Sequence, residues 1–112
     1  MKKLTIKLPL KCPSKKNSQQ IIHNKGRSFI IQSKQYIEFE QNCGYFLRKY
    51  ARHITTPINL KCTFYVPDKR RRDLSNLLNA IQDVLVKYDV LADDNYEIVR
   101  GVDKSRIKYE KR

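Results

Sequence analysis

Residues 58–94 read INLKCTFYVPDKRRRDLSNLLNAIQDVLVKYDVLADD. Ile58, Leu60, Cys62, Phe64 and Val66 alternate with Asn59, Lys61 and Thr63, and this period of two predicts a half-buried strand. Pro67 ends it, because proline has no N–H to give to a ladder. Leu74, Leu77, Leu78, Ile81, Val84, Leu85 and Tyr88 then recur at spacings of three and four, which lays an apolar stripe along one face of a helix. Asp73 stands where an N-cap belongs, its carboxylate placed to accept an orphan backbone N–H. Residues 90–95 read as a turn. Tyr96, Ile98, Val99 and Val102 open a last strand, which Ile107 and Tyr109 extend.

Upstream, residues 3–10 alternate Leu4, Ile6 and Leu8 with Lys3, Thr5 and Lys7, a second period-two strand that Pro9 and Pro13 close. Cys12-Pro13-Ser14-Lys15-Lys16-Asn17-Ser18 follows as a basic loop. Ile21-Ile22 and residues 28–31 flank His23-Asn24-Lys25-Gly26-Arg27. Asn and Gly at the centre predict a hairpin with a basic tip. Ser33 fits a helix N-cap. Apolar residues from Tyr36 to Ala51 then keep helical spacing up to about Ile54, with Gly44 a weak point and Pro57 beyond the end. The order is strand, hairpin, helix, strand, helix, strand. We therefore expect an α/β (α+β) fold, a single mixed sheet with two main helices, as one domain over residues 1–112.

The 112-residue chain carries 24 Lys and Arg against 11 Asp and Glu, a net charge of +13. So positive a surface repels itself and points to a polyanion, nucleic acid first. No run approaches the ~18 apolar residues of a membrane span. The start alternates too strongly for a signal peptide, so a cytoplasmic protein is expected. Cys12, Cys43 and Cys62 form no metal-ligand spacing and read as free thiols. His23 and His53 read as surface residues, with phosphate contact as the alternative.

The charge is segregated. Residues 1–37 hold nine Lys or Arg and no acid, whereas Asp73, Asp83, Asp89, Asp93, Asp94 and Glu97 face only Lys87 within residues 73–97. A protein built solely to grip phosphates has no use for carboxylates beside its grip. A nuclease has, because carboxylates hold the divalent ions that assist phosphodiester hydrolysis. The alternative is that these acids merely decorate a helix and a turn. A helix of about four turns separates Asp73 from Asp93-Asp94. The pair approaches Asp73 only if residues 89–94 run back along the helix, or if a second subunit supplies them.

The stretch Pro67-Asp68-Lys69-Arg70-Arg71-Arg72-Asp73-Leu74-Ser75-Asn76-Leu77, with Asp83, Leu85, Asp93-Asp94 and Ile98-Val99 after it, resembles the RusA family of Holliday-junction resolvases. A weaker match covers Pro13-Ser14, Asn17, Ser33-Lys34 and Tyr36. The resemblance implies a homodimeric α/β endonuclease that binds four-way DNA junctions and makes paired symmetric nicks with Mg²⁺ or Mn²⁺. It makes Asp73 and Asp94 the catalytic metal ligands, with Asp93 the weaker candidate. Lys69, Arg70, Arg71 and Arg72 lead the DNA-binding residues, followed by Lys15, Lys16, Lys25 and Arg27. Such cations position phosphates without reading sequence.

Two positions depart from the family's pattern. Ser75 stands where a second carboxylate is expected, and Asn79 where a lysine is. A neutral hydroxyl is a poor ligand for a hard dication, and an amide places no positive charge on the reacting phosphate. Asn76 is retained, and Asp83 and Glu97 are possible stand-ins. The competing expectation is a catalytically impaired branched-DNA-binding protein of the same fold. An RNA-binding protein, supported only by charge and seven tyrosines, and a purely structural partner of another protein are further readings.

Overall fold

Parallel strands cannot be joined by a tight turn; the chain must cross over, usually through a helix. The second half of this protein is such a crossover. In the computed structural model, which describes residues 3–13, 19–24, 26–67, 69 and 72–110 apart from the side chains of 19–24 and 29–32, residues 54–66 run parallel to residues 91–109. The contact begins at an isolated Ile54–Leu91 bridge. It continues through β3 (Ile58–Asn59) on β5 (Val99–Gly101) and β4 (Thr63–Val66) on β6 (Arg106–Tyr109). Helix α2 (Leu74–Lys87) joins the two stretches.

The expected continuous strands are therefore interrupted. A register shift between Ile58 and Asn59 divides the first stretch. A turn at Asp103-Lys104, with Lys104 at φ 66°, divides the second. Backbone bonds still bridge the break: Leu60 N–H donates to Gly101 O at 2.9 Å and Arg106 N–H to Cys62 O at 2.9 Å. The last strand opens at Val99 rather than Tyr96, because Ile98 N–H and Val99 N–H both fold back onto Asn95 O. The mixed α/β class holds, but the single sheet resolves, among the described residues, into three two-stranded ladders.

The third ladder is the hairpin. β1 (Gln19–Asn24) pairs antiparallel with β2 (Arg27–Gln32) from Gln19↔Gln32 to Asn24↔Arg27. Gly26 has φ +75°, the left-handed conformation that a two-residue hairpin turn requires. The Ser33 hydroxyl then accepts from Tyr36 N–H at 3.3 Å and caps α1 (Lys34–Leu47). Helix α1 stops seven residues short of Ile54, in a 3₁₀ turn over Arg48–Tyr50. The reason is tertiary. His53 N–H bonds to Asp89 O at 2.8 Å and Ile54 N–H to Val90 O at 3.1 Å, so the segment past Tyr50 is drawn to the turn after α2.

Residues 3–10 keep their alternation but form no ladder with the other described residues. Leu4, Ile6, Leu8 and Leu10 are half-buried, and Lys3, Thr5, Lys7 and Pro9 exposed. This extended segment and β4 line a cavity of about 540 Å³ floored by Leu77, Ile81 and Leu85 of α2. The core joins Phe39, Cys43 and Leu47 of α1 to the inner face of α2, Phe64 of β4, and Val90, Leu91 and Ile98. Each such side chain contributes about 1.5–3 kcal/mol by leaving water. All three cysteines are free. Burial is the main force pushing up their thiol pKa values. Cys12, whose Sγ reaches Leu77 O at 3.8 Å, also feels Cys43 and Cys62 nearby and rises to about 12.

Candidate active site

Asp73 follows β4 through the basic run and opens α2. Its backbone is extended, and its Oδ1 accepts from Ser75 N–H at 3.1 Å. The cap therefore holds one carboxylate oxygen at the helix N-terminus, where the N–H dipoles favour negative charge. Asp73, Ser75 and Asn79 are exposed, and Asn76 is half-buried. A solvent-facing edge thus runs along the first two turns of α2.

Asp93 and Asp94 sit in the exposed loop beyond the other end of α2. Asp93 ties that loop together. Its Oδ1 accepts from Asp94 N–H at 2.7 Å, and its Oδ2 from the Asn95 amide at 3.2 Å. Asn95 Oδ1 accepts in turn from Glu97 N–H at 3.0 Å. Asp94 is exposed next to this frame. Partial burial, then hydrogen bonding to Asp93, then the charges of Asp93 and Asp83, hold its carboxyl above the ordinary value.

The parallel register fixes where these groups stand. Asp73 comes after Val66, level with Tyr109, whereas Asp93 and Asp94 follow Leu91, level with Ile54. The 14 residues of α2 lie between, a span on the order of 20 Å. Residues 89–94 do not run back along the helix. Of the two ways of bringing Asp93-Asp94 to Asp73, the one within a single chain is removed. Among the described residues no three His, Cys, Asp or Glu side chains converge to hold a metal. The chemistry of Asp94, an exposed carboxylate crowded by other negative charge, suits a hard dication, but one chain does not bring Asp73 to it.

Asp83 is the acidic neighbour that spacing alone leaves among the stand-ins. It lies on α2, accepts from the Tyr36 hydroxyl at 3.4 Å and bears electrostatically on Asp94. Tyr36 is 1% exposed, and burial followed by the Asp83 charge drives its phenol pKa up. The first turn of α1 is thereby tied to α2. Nothing in the spacing signals this, since Tyr36 reads as one more apolar residue of a helical stripe.

Of the expected DNA contacts, Lys69 and Arg27 are exposed, and Arg72 is half-buried and engaged. Lys15, Lys16, Lys25, Arg70 and Arg71 lie outside the described residues, as does the side chain of His23. Lys69 Nζ stands 5.4 Å over the Tyr109 ring. His53 is exposed, and its Nδ1 meets Asp89 Oδ1 at 2.5 Å, so it fastens the segment after α1 to the turn after α2. No helix among the described residues is long and apolar enough to cross a membrane.

Comparison with known proteins gives a consistent result. The family model described as endodeoxyribonuclease RusA matches residues 11–112. The crossover junction endodeoxyribonuclease RusA of Escherichia coli (strain K12) is 30% identical over 90 residues, 75% of this chain and 73% of that protein. The protein of the same name from Shigella sonnei (strain Ss046) is 31% identical over the same shares, and that of Enterobacteria phage 82 is 30% identical.

Proposed function

Because this chain belongs to the RusA endodeoxyribonuclease family, we propose that it is a crossover-junction endodeoxyribonuclease acting on four-way DNA in recombination and repair, as a homodimer that depends on Mg²⁺ or Mn²⁺. The observation that carries this reading is the family match over residues 11–112. The net charge of +13 supports a polyanionic substrate.

Asp73, Asp94 and Asp93 are the proposed metal-binding carboxylates. A bound dication would supply an activated water and neutralise charge on the reacting phosphate. The chain's own groups prepare that site. Asp73 is exposed and holds one oxygen on its helix cap. Asp93 spends its oxygens on the loop and so orients Asp94. Asp83, held by Tyr36, backs the loop with further negative charge. Lys69, Arg70, Arg71 and Arg72 lead from β4 into Asp73 and anchor phosphates on that side; Lys15, Lys16, Lys25 and Arg27 add a second basic group. A two-fold dimer is the remaining way to bring Asp73 and Asp94 to one phosphate, and it suits a junction whose opposed strands are equivalent.

The second reading, a branched-DNA-binding protein with impaired catalysis, is favoured by Ser75 and Asn79, which line the exposed start of α2 without a carboxylate or a cation. One assay separates the two. Purified protein is incubated with a labelled four-way junction and a matched linear duplex in Mg²⁺, Mn²⁺ or EDTA. Paired, metal-dependent nicks near the crossover are expected. Junction-selective binding without nicks would establish the second reading, and binding equal to that of duplex would remove both.

A further inference from the structure

Period two sorts the β4/β6 ladder into two faces. Paired residues of parallel strands point to the same side, so Phe64 and Ile107 face the core. Thr63 with Arg106, and Tyr65 with Lys108, face outward. Tyr65 is 57% exposed, and Arg106 and Lys108 are exposed beside it. Lys61, two residues before Thr63, is also exposed. A solvent-facing tyrosine is thus set among three cations on a sheet surface.

We propose that this outer face is a second DNA-contact surface, which takes a single strand diverging at a branch. Tyr65 stacks on a base, and Lys61, Arg106 and Lys108 take the adjoining phosphates. The inference rests on the DNA-directed function above and adds to it a surface separate from the aspartates and from the basic run.

Charge complementarity selects the occupant. A second copy of this face would set the three cations against their own equals, which costs affinity. A protein partner would be met by one aromatic ring set among three cations, whereas interface cores are depleted in lysine. A nucleic-acid strand meets both features, since its bases stack on exposed rings and its phosphates release counterions to Lys and Arg. Two acids border the face. Asp103 lies in the turn before β6, its N–H bound to Asn59 Oδ1 at 3.0 Å, and Glu110 follows the end of β6.

The test is anisotropy binding of labelled four-way junction, linear duplex and single strand across a salt series. It compares the wild-type chain with Tyr65→Ala, Tyr65→Phe and the double variant Arg106→Ala/Lys108→Ala. Loss of one base stack should weaken junction and single-strand binding about tenfold in Tyr65→Ala, with duplex less affected and Tyr65→Phe close to wild type. The double variant should lower the salt slope by about 2. Because all these side chains are exposed, circular dichroism should be unchanged. A photo-cross-linking phenylalanine analogue at position 65 should join to DNA. Unaltered affinity and slope, or cross-linking of position 65 to another protomer, would overturn the surface while leaving the nuclease reading intact. A wild-type chain that binds no junction would overturn both.

Discussion

Gly44 of α1 lies directly under the ring of Tyr88, the residue that caps α2: a Cβ at Gly44 would stand 2.7 Å from Tyr88 Cε1 and Cζ. The Tyr88 hydroxyl donates to Glu40 O at 2.7 Å, one turn earlier on α1. The absent side chain thus sets how closely the two helices approach. Alanine ordinarily stabilises a helix interior over glycine by about 1 kcal/mol. Here Gly44→Ala should instead destabilise, by about 1–2 kcal/mol, because the ring must be displaced from a packed site and its hydrogen bond strained. Urea unfolding of Gly44→Ala, Tyr88→Ala and the double variant checks this. The double variant should fall well short of the sum of the singles, because removing the ring removes the clash.

Asp73 has two separable roles. As the α2 cap it should cost about 1 kcal/mol when replaced by Ala and little when replaced by Asn or Ser, which cap equally well. As a proposed metal ligand it should lose junction cleavage in all three variants. Asp73→Asn should therefore keep its urea midpoint and its junction affinity but not its nicking. Full cleavage by that variant would leave Asp73 with only its cap.

The three thiols predict a pH dependence. Burial raises Cys12 to about 12, with Cys43 and Cys62 adding to it; burial raises Cys43, helped by Glu40, and Cys62 to about 11. In the unfolded chain all three titrate near the ordinary cysteine value of about 8.5. Above that pH the folded state holds more protons than the unfolded state, so stability falls as pH rises through about 9 to 11 and is unaffected at neutrality. Iodoacetamide should label the native protein slowly at pH 8 and all three cysteines after unfolding. Replacing Cys12 and Cys62 by Ala should flatten the alkaline decline of the urea midpoint.

How much of this was legible depends on the range of the interaction that decides each element. The hairpin, both N-caps and the α2 stripe are local, and Gly26, Ser33, Asp73 and Leu74 onward announce them. The end of α1 is not local: residues 51–54 carry helical spacing, yet backbone bonds to Asp89 and Val90 remove them from the helix. Residues 3–10 show the converse, alternating in burial as their sequence does but pairing with no strand among the described residues. The role of Gly44 depends on a ring 44 residues away, and the Tyr36–Asp83 contact joins residues 47 apart. In the candidate site, residue types were legible and distances were not, because the sense of the crossover decides that α2 separates Asp73 from Asp94.

Ser75 and Asn79 permit a gain-of-function test. Both are exposed on the first two turns of α2, so replacement by Asp and Lys costs no buried group. Ser75→Asp adds a carboxylate beside the cap, and Asn79→Lys a cation one turn on. If these positions limit catalysis, the double variant should raise the metal-dependent nicking rate at least tenfold at unchanged junction affinity, the typical worth of one electrostatic contact to a reacting phosphate being larger than that. An unchanged rate would show that the chain works with a different set of groups.

The separation of Asp73 and Asp94 along α2 makes the assembly of the site testable by mixing. Asp73→Asn and Asp94→Asn homodimers should each be inactive and should each bind Mn²⁺ weakly. Suppose a site takes Asp73 from one protomer and Asp94 from its partner. A heterodimer of the two variants then carries both lesions in one site and leaves the other intact. After unfolding and refolding an equimolar mixture, half the dimers are heterodimers, so about a quarter of the wild-type sites return. Single nicks should reappear while paired nicks do not, and calorimetric Mn²⁺ titration should recover the same fraction of strong sites. If each site were instead built within one chain, every site in the heterodimer would carry one lesion, and neither nicking nor metal binding would return. The relationship between the two aspartates therefore makes opposite predictions for one mixture, and the metal titration decides between them even where Ser75 and Asn79 keep turnover slow.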